Sequence, residues 1–216
     1  MAAAPEKLAA LRHLLAERFP SASRPAGRAL PTGIASLDEA SGGLPLGAVT
    51  EFVCAAPSGG SQLFLGQLLA ATRAGRLRVA LVDRTDAFDP GSHVADNLAH
   101  LIWVRCPAMP EALQAADLLA RDANLGVVVL DLHHAPAAEL RKIPSRQWYR
   151  FQRAVEPTEL AFVVITPHAL VASAQLRFVL DRSPAPTVFD AARPSLIAQL
   201  EPTRQRQRVT VHSAVA

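Results

Sequence analysis

The residues with most chemical content are those of a phosphate-binding loop that lacks its cation. Val49-Thr50-Glu51-Phe52-Val53-Cys54 reads as an apolar strand, and Gln62 to Ala71 as an apolar helix. Between them runs Ala55-Ala56-Pro57-Ser58-Gly59-Gly60-Ser61. Strand, small-residue loop and helix form the setting of the G-x-x-x-x-G-K-[ST] loop, whose backbone cradles phosphates and whose lysine neutralises them. On that template Cys54 takes the first glycine, Gly59 the second, Gly60 the lysine and Ser61 the hydroxyl. An ammonium about 4 Å from a phosphate oxygen is worth roughly 4 kcal/mol at an effective dielectric near 20. Losing it weakens a nucleoside triphosphate by roughly a thousandfold. A Cβ at Cys54 removes backbone freedom that glycine would give the loop. The expectation is a vestigial loop, with no cofactor and no metal.

The acidic residues Glu51, Asp83, Asp86, Asp89 and Asp131 form the second candidate set. Asp83 and Asp131 end strands, where α/β sheets place ligands. Inherited capping and loop chemistry is the favoured reading of these carboxylates. His133 and His134 follow Asp131 directly, and adjacent histidines at a strand end do not readily share a metal, so a loop role is expected. Spacing reveals no Ser-His-Asp or Cys-His pairing.

Two arginine clusters are candidate nucleic-acid or partner contacts. On the helix that begins at Ser145, Trp148, Phe151 and Val155 recur at core-facing spacing. Arg146, Arg150 and Arg153 take another face with Tyr149, and Arg141 and Lys142 lie just before. Cations with an interleaved aromatic can grip a phosphate backbone and stack a base; a solvated helix face explains them as well. In the second cluster Arg204, Arg206 and Arg208 alternate with glutamines. In an extended strand they project from one face, as a DNA or partner contact or as a plain surface strand.

The elements that must position these residues alternate. Arg78–Asp83, Leu101–Cys106, Gly126–Asp131 and Leu160–Thr166 read as buried strands, and Met109–Asn124 and Ser145–Glu156 as helices. Continuous apolar strands separated by helices imply a mostly parallel α/β sheet covered on both faces. Gln175–Leu180, Leu196–Leu200 and Arg208–His212 read as shorter strands, giving a C-terminal antiparallel extension. At the other end Leu8, Leu11, Leu15 and Phe19 form the stripe of an amphipathic helix. A proline-containing linker, Pro20 to Arg28, follows. That helix either folds back on its own domain or docks on another subunit. The division is residues 1–29 as helix and linker, and 30–216 as core.

Composition bounds the rest. Among 216 residues, 50% are hydrophobic and 19% charged, with a net charge of +3, which carries no general nucleic-acid footprint. Cys54 and Cys106 read as buried thiols of a reducing compartment. The N-terminus lacks signal-peptide regions and no stretch is apolar enough to span a bilayer, so a cytoplasmic location is expected.

The motifs in order resemble the RecA recombinases. Pro31-Thr32-Gly33-Ile34-Ala35-Ser36-Leu37-Asp38-Glu39-Ala40, then Gly42-Gly43-Leu44-Pro45-Leu46-Gly47, is similar to the segment that leads into their phosphate-loop strand. Asp83 to Pro90 is similar to the segment after their second core strand, and Val127 to Asp131 to their Walker B strand. The resemblance implies a RecA-like phosphate-loop fold, with the N-terminal helix as a subunit or partner docking element. Gly60 stands where the phosphate-binding lysine would be, and Thr85 where the water-activating glutamate would be. Pro167 to Ser173 is much shorter than the DNA-binding loop at that place. A short RecA relative with a degenerate Walker A loop resembles the ImuA family. That resemblance implies a non-catalytic accessory role in the SOS response, DNA repair and mutagenesis by translesion synthesis. The implied partners are RecA, ImuB with its associated error-prone polymerase, and single-stranded DNA, with self-association through the N-terminal helix. The alternatives are a weak DNA-dependent ATPase using a displaced cation, Arg73 or Arg84, and a SulA-like division inhibitor.

Overall fold

The computed structural model describes residues 27–56, 59–183 and 186–208. The expected helix of Leu8, Leu11, Leu15 and Phe19 lies outside them, as do Ser58 and residues 209–212. The elements in chain order are β1 (Ala29–Leu30), α1 (Ala35–Ser41), β2 (Leu44–Pro45), β3 (Ala48–Cys54), α2 (Ser61–Ala74), β4 (Val79–Asp83), α3 (Ala95–Leu98), β5 (Leu101–Arg105), α4 (Met109–Leu119), β6 (Val127–Asp131), α5 (Ala137–Leu140), α6 (Ser145–Val155), β7 (Ala161–Thr166), β8 (Leu176–Leu180), α7 (Arg193–Ala198) and β9 (Thr203–Gln207).

The apolar strands form one seven-stranded sheet in the order β5-β4-β6-β7-β3-β8-β9, parallel except for the β8–β9 pair. Strand periodicity sorts the core onto its two faces. Val128, Leu130, Phe162 and Val164 pack against Trp148, Phe151 and Val155 of α6 and Ala112 and Ala116 of α4. Val127, Val129, Val163 and Phe178 pack on the opposite side with Phe64, Leu65 and Leu68 of α2 and Leu37 of α1. This double burial is why strands β4, β6 and β7 read as apolar runs, while β3 carries Thr50 and Glu51 within its own buried run.

Three expectations are corrected. Leu196–Leu200 is not a strand: it falls on α7 and the turn after it, because Pro194 opens a helix there and Leu196, Ile197 and Leu200 follow a helical spacing. The antiparallel extension is therefore one strand, β9, and Leu176–Leu180 runs parallel to β3. The helix from Met109 ends at Leu119 rather than Asn124. Its last turn tightens into Arg121 N–H to Leu118 and Asp122 N–H to Leu119 bonds, and the Asp122 carboxylate accepts from the Asn124 amide.

The segment after β7 is held down from beneath. Glu51 of β3 is fully buried, and its Oε1 accepts from the Thr166 hydroxyl and from the amides of Leu170 and Val171. Its Oε2 accepts from Arg177 Nε, and Arg177 Nη2 donates to the Val171 carbonyl. Ser173 Oγ donates to the Trp148 carbonyl, tying the same segment to α6. Glu51 thus belongs to a structural ion pair, away from the other acidic residues.

Removing one partner of a buried pair strands the other charge and, here, two backbone amides. Glu51→Ala should lower stability by about 3–5 kcal/mol in urea unfolding. A loss below about 1 kcal/mol would show that the Arg177 guanidinium and both amides find other acceptors.

Candidate functional site

The carboxyl edge of the sheet gathers Cys54, Asp83 and Asp131, as expected of an α/β ligand site, and other parts of the chain crowd the helix start beside Cys54. Gly60 caps α2 in the left-handed region, with φ 96°. A Cβ there would lie 2.4 Å from Leu200 Cδ2. Leu200, just beyond α7, is itself buried, and Ser36 Oγ holds its carbonyl at 2.7 Å. Arg193 of α7 reaches across α2 to the carbonyls of Gln62 and Ser92. It passes where a Cβ on Gly66 would meet its Nη2 at 2.4 Å. The glycine in place of lysine thus gives room to a C-terminal strap. A cleft of about 310 Å³ remains between Gly59, Gly60, Leu63, Leu180, Leu196 and Leu200.

His133 fills the other side of the loop. Its Nε2 lies 3.0 Å from the Cys54 carbonyl, which can only accept, so Nε2 carries the proton. Nδ1 then faces the Ser61 hydroxyl at 3.5 Å. Burial, then the neighbouring His134, lowers the His133 pKa, partly offset by the Cys54 carbonyl, so the ring is neutral near pH 7. Ser61, the residue in the hydroxyl position of the motif, therefore faces an imidazole. Burial, then Asp131, pushes the Cys54 thiol up to about 12, which leaves it inert.

The acidic residues disperse into structural tasks. Asp83 accepts from the amides of Thr85, Ala87 and Phe88 and from Trp103 Nε1, which fixes the loop after β4. Thr85 Oγ1 is buried there without a partner. Asp89 accepts from Gly91, and Asp86 lies 3.5 Å from Arg105. Asp131 pairs with Asp83 in the sheet register and accepts from the His133 amide. Burial raises its pKa to about 6, opposed by the His133 amide and reinforced by Asp83. Arg84 is bound to Glu139, and Arg73 to Asp96. Arg73 also sits twelve positions along α2 from Ser61, about 18 Å away at 1.5 Å per residue.

The two arginine clusters meet on one surface, but not all of their members share it. A bulge in β9 sets Phe178 opposite Arg204 and Arg177 opposite Arg206, with Gln205 the extra residue. Arg204 therefore lies on the α1 side and bonds the Ala40 carbonyl, whereas Arg206 lies on the α6 side and bonds the Ala172 carbonyl. The expectation of one arginine face fails at that bulge. Arg206 is close enough to Tyr149, Arg208 and Arg177 to feel their charges; burial foremost, then these arginines, lower its pKa. Tyr149 is 51% exposed. Arg150 is neutralised by a two-point pair with Asp117. Arg141, Lys142, Arg146, Arg153 and Arg208 are exposed and make no ion pair among the described residues.

No protein-family model matches the chain. Curated relatives include the RecA protein of Methylococcus capsulatus, 36% identical over 117 residues, which is 51% of this chain and 33% of that protein. The RecA protein of Frankia alni is 33% identical over 124 residues, 55% of this chain and 36% of that protein. The chain thus spans about a third of the length of the curated relatives it matches. Among solved structures, the crystal structure of the RadB recombinase superposes with a TM-score of 0.58 at 20% identity, covering 73% of this chain and 85% of that one. These comparisons relate the chain distantly to RecA and give its fold as RecA-like.

The occupants of the loop, Leu200 and His133, left no mark in the motif, because they come from 140 and 73 positions further along the chain. The one signal was Gly60 itself, a residue with no Cβ at a helix start. Gly60→Lys should lower stability by about 2–4 kcal/mol, from left-handed backbone strain and displacement of Leu200. Thermal unfolding of the variant checks this, and an unchanged midpoint would mean that the strap gives way freely.

For Asp131 the sign follows from the raised pKa. Below about pH 4 the carboxyl is protonated both folded and unfolded; between about 4 and 6 only the folded state binds the proton, so stability falls as pH rises through that window. Asp131→Asn should therefore stabilise the protein by at most about 3 kcal/mol at pH 7.5, and the gain should vanish near pH 4. Urea titrations at the two pH values make the comparison. Destabilisation at pH 7.5 would mean that the carboxylate is paired there.

Proposed function

We propose that this chain is a non-catalytic, RecA-like accessory protein of DNA damage tolerance. It uses the recombinase fold as a docking platform in SOS-induced translesion synthesis, as the resemblance to ImuA implies. The partners in this reading are RecA, ImuB with its error-prone polymerase, and single-stranded DNA. The observation that carries it is the closure of the phosphate loop from within, by Leu200 on Gly60 and by His133 between Ser61 and Cys54. Thr85 has no proton-accepting carboxylate to offer an attacking water. Neither Arg73 nor Arg84 is free to replace the lost lysine, which weighs against the ATPase alternative.

The nucleic-acid limb of this reading moves to the outer face of α6. The segment after β7, which resembles the site of a recombinase DNA-binding loop, is bound to Glu51 and Arg177. The exposed cations without ion pairs among the described residues and the open aromatic lie instead on α6 and just beyond β9: Arg146, Tyr149, Arg153 and Arg208, with the half-buried Arg206 beside them. Phosphates would run along the arginines while one base stacks on Tyr149.

Magnesium-dependent ATP hydrolysis should be absent with and without single-stranded DNA. Turnover that survives purification and is lost in Asp131→Asn would contradict the reading. Oligodeoxythymidylate should bind with an affinity that falls steeply with salt. Replacing Arg146 and Arg208 by glutamine should reduce the slope of log affinity against log salt by about 1.4, at roughly 0.7 per phosphate contact. Tyr149→Ala should cost about 1–3 kcal/mol of binding. Fluorescence anisotropy across a salt series reads all three, and no binding at low salt would leave this face merely solvated.

A further inference from the structure

An apolar groove of about 560 Å³ lies between the start of α4 and the turn joining α5 to α6. Its walls are Pro107, Met109, Pro110, Leu113, Ile143 and Pro144. Arg84 forms its floor, with Glu139 and Lys142 at the side. Arg84 Nη2 engages both Glu139 oxygens, at 2.9 and 2.7 Å, so the groove's one carboxylate is already neutralised. Arg84 Nε lies buried with no acceptor. Lys142 is exposed and makes no ion pair among the described residues. The helices α4 and α6 both begin at this groove without a side-chain cap; Glu111 in the first turn of α4 offsets its amides, whereas α6 has no acidic residue there and adds partial positive charge. The surface is therefore apolar in its walls and electropositive on one side, at Lys142 and the start of α6.

We propose that this groove docks an acidic segment of a partner protein. One aliphatic or aromatic side chain of that segment fills the space between Met109, Leu113 and Ile143, and an adjacent carboxylate faces Lys142. Apolar burial supplies affinity, and Lys142 with the amides at the start of α6 selects acidic over basic partners. A nucleic acid fits less well, because its phosphates would leave the proline and leucine walls unfilled. The inference rests on the reading of the chain as a docking platform, and not on its nucleic-acid surface.

The sequence contains two methionines, Met1 and Met109, so methyl-labelled methionine gives one probe inside the groove. The full chain is titrated with the acetylated, amidated peptide Ala-Ala-Phe-Asp-Asp-Ala. Two controls replace its aspartates by lysine or its phenylalanine by alanine. The parent peptide should shift the Met109 methyl saturably, and each control should bind at least about tenfold more weakly. Lys142→Glu should weaken the parent peptide by at least about tenfold and narrow its advantage over the lysine peptide. Leu113→Gln should weaken the parent peptide while the methyl spectrum of the free protein stays folded. No shift at Met109, equal affinity for the three peptides, or loss of the peptide shift to competing oligodeoxythymidylate would overturn the proposal. Failure of the peptide with oligonucleotide binding intact removes the groove alone; the converse removes only the nucleic-acid surface.

Discussion

The carboxyl edge of this sheet is organised by the approach of Leu200 to a backbone that has no Cβ at residue 60. The strap that delivers Leu200 is fixed at several points: Arg193 on two carbonyls, Ser36 on the Leu200 carbonyl, and β9 on β8. The strap in turn walls the cleft beside Gly59 and Gly60, at the helix start whose free amides favour an anion. A side chain at residue 60 would press on the Leu200 methyl.

The same replacement of ligand by protein recurs around the loop. His133 offers its ring nitrogens to Cys54 and Ser61, and Asp83 spends its oxygens on amides and an indole. Asp131 alone keeps a carboxylate that its surroundings do not pay for, and its raised pKa is the physical trace of that. Two surfaces lie away from this loop: the arginine and tyrosine face of α6 and β9, and the apolar groove at the start of α4. No helix among the described residues is long and apolar enough to cross a membrane.

Much of this fold was legible in the sequence because burial on both faces of a parallel sheet forces apolar runs, and β3, β4, β6 and β7 stand where those runs do. The face of α6 was legible for the same kind of reason, since Trp148, Phe151 and Val155 keep helical spacing. What was not legible is what long-range contact decides. Leu196 to Leu200 is too short for its period to separate strand from helix, and Pro194 was the signal that it opens a helix. The bulge at Gln205 turns Arg204 and Arg206 to opposite faces, and nothing local in an alternating Arg-Gln run marks it. The meeting of Arg206 with Tyr149, and of Leu200 with Gly60, depends on sheet order, which strand patterns alone do not fix.

The most direct measurement is amide hydrogen exchange across the loop and the strap, with and without saturating magnesium-ATP. A loop closed from within predicts the same protection at Gly59 to Leu63 and at Leu196 to Leu200 in both conditions. New protection at the loop together with faster exchange around Leu200 would show that nucleotide displaces the strap, and would contradict the account.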